Sequence, residues 1–186
     1  IKIINLEKLF SMEGLASLVK VIDAFTERTG RLIAWFTFGM VLISFSIVVL
    51  RYGFNLGWIA MQESVIYLHG IVFMLGAGYT LKSGGHVRVD IFYQNFSEKR
   101  KAWVNLLGTI ILLLPVCIFI FAISLDYVLQ AWGIQEKSSE AGGLPTVYLL
   151  KTLILLFSVT LGLQGIAEIG RSILTIVGRQ DNKVED

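Results

Sequence analysis

Few side chains in this 186-residue chain are of types suited to catalysis or metal binding, and those few are scattered. The sequence contains two histidines, His69 and His86, and a single cysteine, Cys117. No glycine-rich phosphate loop, nucleophile elbow or metal-ligand spacing surrounds them. A lone cysteine also excludes a disulfide within the chain and an all-cysteine metal site. We therefore expect a protein that is not an enzyme and that holds no cofactor or metal of its own.

The two histidines lie in different surroundings. His69 falls inside an uncharged stretch, residues 64–81, whereas His86 falls in the polar segment that follows. A membrane haem held by two histidines needs both inside the spans, and only His69 is. Its imidazole could serve as a proton relay or as a hydrogen-bond donor between helices. We favour the structural role because no acid accompanies His69 at mid-depth, and we interpret Cys117 as apolar packing.

The amino-acid composition indicates the class of protein that carries these histidines and this cysteine. Hydrophobic residues make up 55% of the chain and charged residues 16%, against roughly 25% charged in soluble domains. The mean hydropathy is +0.71. A formal net charge of +2 disfavours a nucleic-acid partner and charge-driven disorder. These values predict an integral membrane protein.

Four long apolar stretches predict four membrane spans, at about residues 32–50, 60–81, 102–125 and 145–167. About 20 apolar residues cross a hydrocarbon core of about 30 Å. Backbone groups cannot remain unpaired in lipid, and the apolar runs do not alternate with polar residues, so we expect helices rather than a β-barrel. The predicted fold is all-α: a four-helix transmembrane bundle over residues 31–175, with a polar C-terminal tail at 176–186.

Positive charge predicts the orientation of the spans. Of the 16 Lys and Arg residues, only three fall on the side of the connections after the first and third spans: Arg51, Lys137, and Lys151 near the start of the fourth span. The other 13 fall before the first span (1–31), in the loop at 82–101 and after the fourth span (168–186). Positively charged loops remain in the cytoplasm, so both termini are expected there.

The N-terminal segment, residues 1–30, has apolar residues at helical spacing with charges between them, as at Leu15, Leu18 and Ile22. We interpret it as an amphipathic helix on the cytoplasmic membrane surface, in contact with lipids. The alternative is a cytoplasmic extension of the first span. Scattered acidic residues and the lack of an unbroken apolar core argue against a signal peptide.

Two spans carry small residues at helix-packing distances. Close approach of helix backbones in a membrane needs small side chains. These residues could pack inside the chain's own bundle or against another subunit, and we weigh the two uses equally. Glu63, at the start of the second span, and Glu168, at the end of the fourth, are interpreted as contacts with the membrane interface or a partner rather than as ion ligands. The candidate subunit-contact residues in the spans are Glu63, His69, Gly70, Ala77, Gly78, Ser158 and Gly162.

The segment 82–101 is the most patterned loop. Its residues 86–90, HVRVD, alternate polar and apolar side chains, which would place His86, Arg88 and Asp90 on one face of an extended segment. We predict that Arg88 and Asp90 brace the cytoplasmic side or contact a larger subunit. The alternative is a solvated basic loop that only sets topology.

A family resemblance follows from these residues. The segment GYTLKSGGHVRVDIFY, preceded by Gln62-Glu63-Ser64 and followed by SEKRKAWVNLLGTI, resembles the small membrane subunit of tripartite ATP-independent periplasmic (TRAP) transporters, the DctQ family. The later segments SSEAGGLP and LQG are similar to one branch of that family. The resemblance covers roughly residues 30–175.

The resemblance implies a place in a three-part transporter of the bacterial inner membrane. A periplasmic substrate-binding protein would deliver a substrate, often an organic acid, to a large membrane subunit that moves as an elevator and holds the sodium sites. This chain would be the scaffold beside it. The periplasmic loop could help to dock the binding protein, through the candidates Trp132, Glu136, Lys137 and Glu140.

Other functions remain open on sequence alone. The main alternative is an autonomous carrier or channel built by self-association of the four-span unit, although the spans offer only His69, Gln164 and hydroxyls for a polar pathway. A membrane redox subunit and a purely structural assembly factor are further alternatives.

Overall fold

The computed structural model describes residues 2–85, 93 and 95–181, and these residues contain helices and no β-strand. Helix α1 is Lys2–Phe54, α2 is Ile59–Lys82 and α3 is Glu98–Gly108. A five-residue π-helical turn, Thr109–Leu113, joins α3 to α4, Leu114–Gly133, and α5 is Val147–Asp181. The all-α prediction is confirmed.

Four helical stretches are long and apolar enough to cross a membrane: Met12–Phe54, Ile59–Lys82, Glu98–Gly133 and Val147–Gly178. The predicted number of four spans is therefore confirmed. Helix α5 begins two residues after Pro145, so this proline precedes the helix rather than occupying its first turn.

Helix α1 joins two segments that the sequence analysis treated separately. The described part of the proposed surface helix, from Lys2 onward, and the first span at 32–50 lie in one helix of 53 residues, about 80 Å long. Gly30 lies at the junction but does not interrupt the helix; its missing side chain leaves room for the ring of Tyr79 on α2. The backbone is thus continuous from one segment to the other, and the position of residues 1–30 at the membrane surface stays a prediction.

Helix α5 is the centre of the structure. It packs against α1, α2, α3 and α4, whereas α4 makes no comparable contact with α1 or α2 among the described residues. Helices α1, α2 and α5 form a three-helix unit, and α3 and α4 lie along another side of α5. The arrangement is open, since large apolar side chains on α1 and α4 are more than half exposed, as at Phe45 and Phe119.

The π-helical turn lies immediately before α4, whose second residue is Pro115. Proline has no N–H to donate to the carbonyl four residues earlier, so the α-helical pattern cannot run through it unchanged. Just before Pro115, the N–H of Leu114 donates to the carbonyl of Thr109, five residues back. Gly165 of α5 faces this turn, and a Cβ there would lie 2.7 Å from Leu113 Cδ2.

The N-terminal half of α1 runs antiparallel to the C-terminal half of α5. A Cβ added to Gly170 would lie 2.6 Å from Val19 Cγ2 and 3.4 Å from Leu15 Cδ1. Val19 is buried and its branched side chain has little freedom to move away. Gly170 therefore permits the close contact between the N-terminal half of α1 and the C-terminal half of α5.

Replacement of this glycine tests the contact. We expect Gly170→Ala to lower the free energy of unfolding by about 1–3 kcal/mol through overpacking against Val19. Gly178→Ala is the matched control on the same helix, because a Cβ at Gly178 meets no atom within 4 Å. The control is expected to be neutral or slightly stabilising. Thermal unfolding in mild detergent measures both, and equal midpoints for the two variants would contradict the packing described.

Candidate functional site

Gln164 is the most deeply buried large polar side chain among the described residues, with 0% exposure. Its amide oxygen accepts a hydrogen bond from the Thr26 hydroxyl at 2.7 Å, and its amide nitrogen donates to Asp23 at 3.0 Å. Both partners lie on α1, about 140 residues away along the chain. The amide thereby fastens the N-terminal part of α1 to α5.

Arg171 extends this contact about two turns further along α5. Its guanidinium donates to Asp23 at 2.8 Å and to Glu168 at 2.9 Å. Asn105 of α3 donates to the other oxygen of Glu168 at 3.0 Å, and the Tyr93 hydroxyl donates to Asn105 at 3.1 Å. These contacts form one connected set, the Gln164 cluster: Asp23, Thr26, Tyr93, Asn105, Gln164, Glu168 and Arg171.

The Gln164 cluster is suited to positioning rather than to chemistry. Its two carboxylates share one guanidinium, and the charged side chains are only 15–32% exposed. Buried charges are tolerated when they are paired and hydrogen-bonded, as these are. The cluster fixes α1, α3 and α5 relative to one another at one end of the bundle.

Most of this cluster is not predicted from the sequence. Glu168 is predicted there to contact the membrane interface or a partner, and Asp23 and Arg171 are not among the candidate residues. The available signal was a polar stripe on α5, since Gln164, Glu168 and Arg171 follow one another at helical spacings of four and three.

A second ionic contact ties α1 to α2 at the same end. Lys82 lies 2.6 Å from Glu27, which also pairs with Arg31 at 2.9 Å. Most of Arg31 is exposed, so its pair contributes little to stability, whereas Lys82 is largely covered. The end of α2 is thereby held beside α1.

At the opposite end of the bundle, Glu63 holds the connection between α4 and α5. Its carboxylate accepts hydrogen bonds from the Ser138 hydroxyl and from the Leu144 N–H, the latter at 2.5 Å. Gly143 packs against both Ser138 and Glu63, where a side chain would collide. Glu63 therefore has partners within its own chain.

The candidate docking residues on this connection differ in exposure. Glu136 is paired with Lys151 at 2.5 Å, and Lys151 also lies 3.9 Å from the centre of the Tyr127 ring. The Trp132 indole donates to Thr152. Lys137 and Glu140 are exposed. Lys137 and Glu140 are therefore the exposed charged residues of this loop.

The small residues proposed as subunit contacts mostly face inward. Gly70 lies against Leu150 and Leu153, where a Cβ would be 3.2 and 3.3 Å from their methyl groups. Gly78 is buried against Thr160. Ser158 is also buried, and Gly162 faces Cys117. Gly70 and Gly78 thus pack against α5 within the chain, whereas Ser158 and Gly162 also line an open groove between α4 and α5. Contact of these positions with another subunit stays a prediction.

His69 and Ala77 face outward instead. His69 is exposed on α2, and its ring stacks on Phe73 with centroids 6.2 Å apart. Ala77 lines an open groove between α2 and α5. The loop candidates His86, Arg88 and Asp90 lie outside the described residues, so their predicted role stays a prediction.

One buried polar atom in the described part of the chain lacks a partner, the Tyr67 hydroxyl. Among the residues that the structure covers, no group of three or more His, Cys, Asp or Glu side chains could hold a metal ion. The fold and contacts together define a helical membrane protein with four candidate spans, whose polar clusters position helices and loops.

Comparison with protein families matches residues 40–175 to the family described as tripartite ATP-independent periplasmic transporters, DctQ component. The match covers well over half of the chain, so the chain belongs to this family. The resemblance seen in the sequence is thereby confirmed. No curated protein and no solved structure matches the chain.

Family membership defines the general role. The chain is a component of a transporter, not an enzyme, and a multi-pass membrane protein. Membership also implies association, in general, with a large membrane subunit and a substrate-binding protein.

The hydrogen bonds of the Gln164 cluster can be tested by comparing the stability of two variants. One changes Gln164, and the other changes Tyr67, whose hydroxyl has no partner among the described residues. Gln164→Leu leaves the buried Thr26 hydroxyl without its partner, at a cost of about 1–3 kcal/mol, and removes one donor from Asp23, which keeps its pair with Arg171. Tyr67→Phe removes a hydroxyl that has no partner and should not lower stability. Thermal unfolding in mild detergent compares the two variants. Equal loss of stability in both would contradict the assigned hydrogen bonds.

Proposed function

We propose that this chain is the scaffold beside the large, elevator-type subunit of a sodium-coupled TRAP transporter for organic acids. One observation carries the proposal: the residues of the spans that the structure describes offer no polar pathway at mid-depth. The charged side chains that form ion pairs between helices or loops lie outside the predicted spans or, as at Lys151, within about two turns of a span end. Substrate and sodium sites would then belong to the large subunit.

The open arrangement of the helices supports a scaffold role. An elevator subunit moves one domain across the bilayer while another part stays fixed, and a wide attached unit resists tilting. Helix α1 is about 80 Å long and is tied to α5 by the Gln164 cluster and to α2 by Glu27. These ties make the long helix and the bundle a single body.

The orientation that we propose places both termini in the cytoplasm and the chain in a bacterial inner membrane. The distribution of Lys and Arg supports it. The Gln164 cluster would then lie toward the cytoplasm, and the Glu63-held connection would face the periplasm.

The connection between α4 and α5 is the proposed contact for the periplasmic binding protein. Hydrogen bonds from Ser138 and Leu144 to the Glu63 carboxylate fix its shape, and its exposed charged residues are Lys137 and Glu140. A preformed loop loses less conformational freedom on binding than a flexible one. Trp132 and Glu136 would support this surface through their contacts with Thr152 and Lys151.

The scaffold function predicts a stable heteromeric complex. When the chain is co-expressed with the large membrane subunit of its transporter, purification in mild detergent should recover both subunits together. Reconstituted transport of organic acids should require both subunits, a sodium gradient and the binding protein. A homo-oligomer of this chain that transports alone would contradict the proposal and favour the autonomous carrier or channel.

Docking of the binding protein can be tested at Glu140. Reversal of an exposed interfacial charge mainly slows association, so Glu140→Lys should weaken binding to the nanodisc-embedded complex several-fold, most at low salt. Glu13→Lys is the matched control, a charge reversal at an exposed position of α1 toward the opposite end of the bundle. Glu136→Lys is less suitable, because it would also place two lysines together at Lys151. Equal binding by the Glu140 and Glu13 variants would exclude a role for Glu140.

A further inference from the structure

His69 lies near the middle of its helix, on a side that the other described residues leave uncovered. Helix α2 extends from Ile59 to Lys82, so His69 is about 2 Å along the axis from the midpoint. Ile66 and Phe73, one turn before and after it, are 58% and 67% exposed. The same side of α2 carries, at helical spacing, the residues that we call the His69 face: Gln62, Ile66, His69, Phe73, Gly76 and Thr80.

The imidazole is chemically unsuited to lipid. Either protonation state of histidine carries at least one N–H donor, and hydrocarbon tails accept no hydrogen bond. Polar side chains inside membranes almost always face other protein groups or a water-filled cavity. Among the described residues His69 makes no hydrogen bond, and its ring contact is the stack on Phe73.

The surface beside His69 has room for a helix. An open groove of about 500 Å³ lies between α2 and α5, with Phe157 and Leu161 of α5 on one side and Phe73, Gly76 and Thr80 on the other. A Cβ at Gly76 would meet no atom within 4 Å. Gly70 and Gly78, by contrast, already contact α5. Helix α2 thus has one small-residue side that is filled and a second that is open.

We propose that the His69 face is covered by a transmembrane helix of the large subunit, which places a hydrogen-bonding group against His69 at mid-depth. This assignment rests on the proposed scaffold function. The partner chemistry follows from the surface: an apolar helix that fits beside Phe73 and Gly76 and carries one acceptor or donor, such as a hydroxyl or a carboxamide. Lipid can fill the groove but cannot pair the imidazole.

The first test is photocrosslinking in the intact complex of both membrane subunits. A benzophenone amino acid is placed at position 69 and, separately, at position 73. Both positions are exposed, so the probe does not disturb the core of this chain. Covalent products that contain the large subunit are expected. Products that contain only a second copy of this chain, or lipid alone, would overturn the assignment.

The second test separates the hydrogen bond from the shape of the side chain. His69→Phe keeps an aromatic ring but loses the hydrogen bond, and His69→Gln keeps a donor and an acceptor. We expect His69→Phe to weaken the association of the two subunits about threefold to twentyfold, as for single interhelical hydrogen bonds in membranes. His69→Gln should restore most of the association.

A folding control accompanies these variants. Because His69 has no hydrogen bond within the described part of its own chain, thermal unfolding of the isolated chain should be the same for the wild type and His69→Phe. Equal association of the wild type and His69→Phe with the large subunit would overturn the assignment. If the wild type itself fails to associate, the proposed function fails; if it associates without crosslinks at positions 69 and 73, only this assignment fails.

Discussion

A buried amide must find hydrogen-bond partners, and in this protein the partners of Gln164 determine where α1 lies. An unpaired polar group in an apolar interior costs about 1–3 kcal/mol, so the Gln164 side chain is stable only with Thr26 and Asp23 beside it. Asp23 in turn orients Arg171, and Arg171 orients Glu168 and, through it, Asn105. Since the hydrophobic effect gives little preference between helices within a membrane, such polar contacts and close packing select which helices become neighbours.

Glu63 applies the same constraint at the opposite end. A carboxylate near the start of a span needs donors, and the connection after α4 supplies a hydroxyl and a backbone N–H. That connection therefore has a definite shape although it contains no regular secondary structure. The exposed side chains on it, Lys137 and Glu140, gain fixed positions as a result.

The sequence was informative about the membrane spans because charged residues mark the two ends of each long apolar stretch. It was also informative about the family, because HVRVD and its neighbours are distinctive. It could not distinguish inward from outward small residues: Gly70 and Gly78 contact α5, whereas Gly76, between them, faces open space. Spacing along one helix does not reveal on which sides its neighbours lie. The Gln164 cluster could not be predicted for a similar reason, since Gln164 is about 140 residues along the chain from Thr26 and Asp23.

The same separation has a consequence for biosynthesis. Asp23 and Thr26 enter the membrane region with the first helix, but Gln164 and Arg171 belong to the last. Until α5 is inserted, the polar side of α1 lacks these native partners, and α2 and α4 also lack the helix that lies between them. Insertion of the last helix is therefore the step that converts a row of separate spans into a folded subunit, and a chain truncated before α5 would retain its hydrophobic segments but not its architecture.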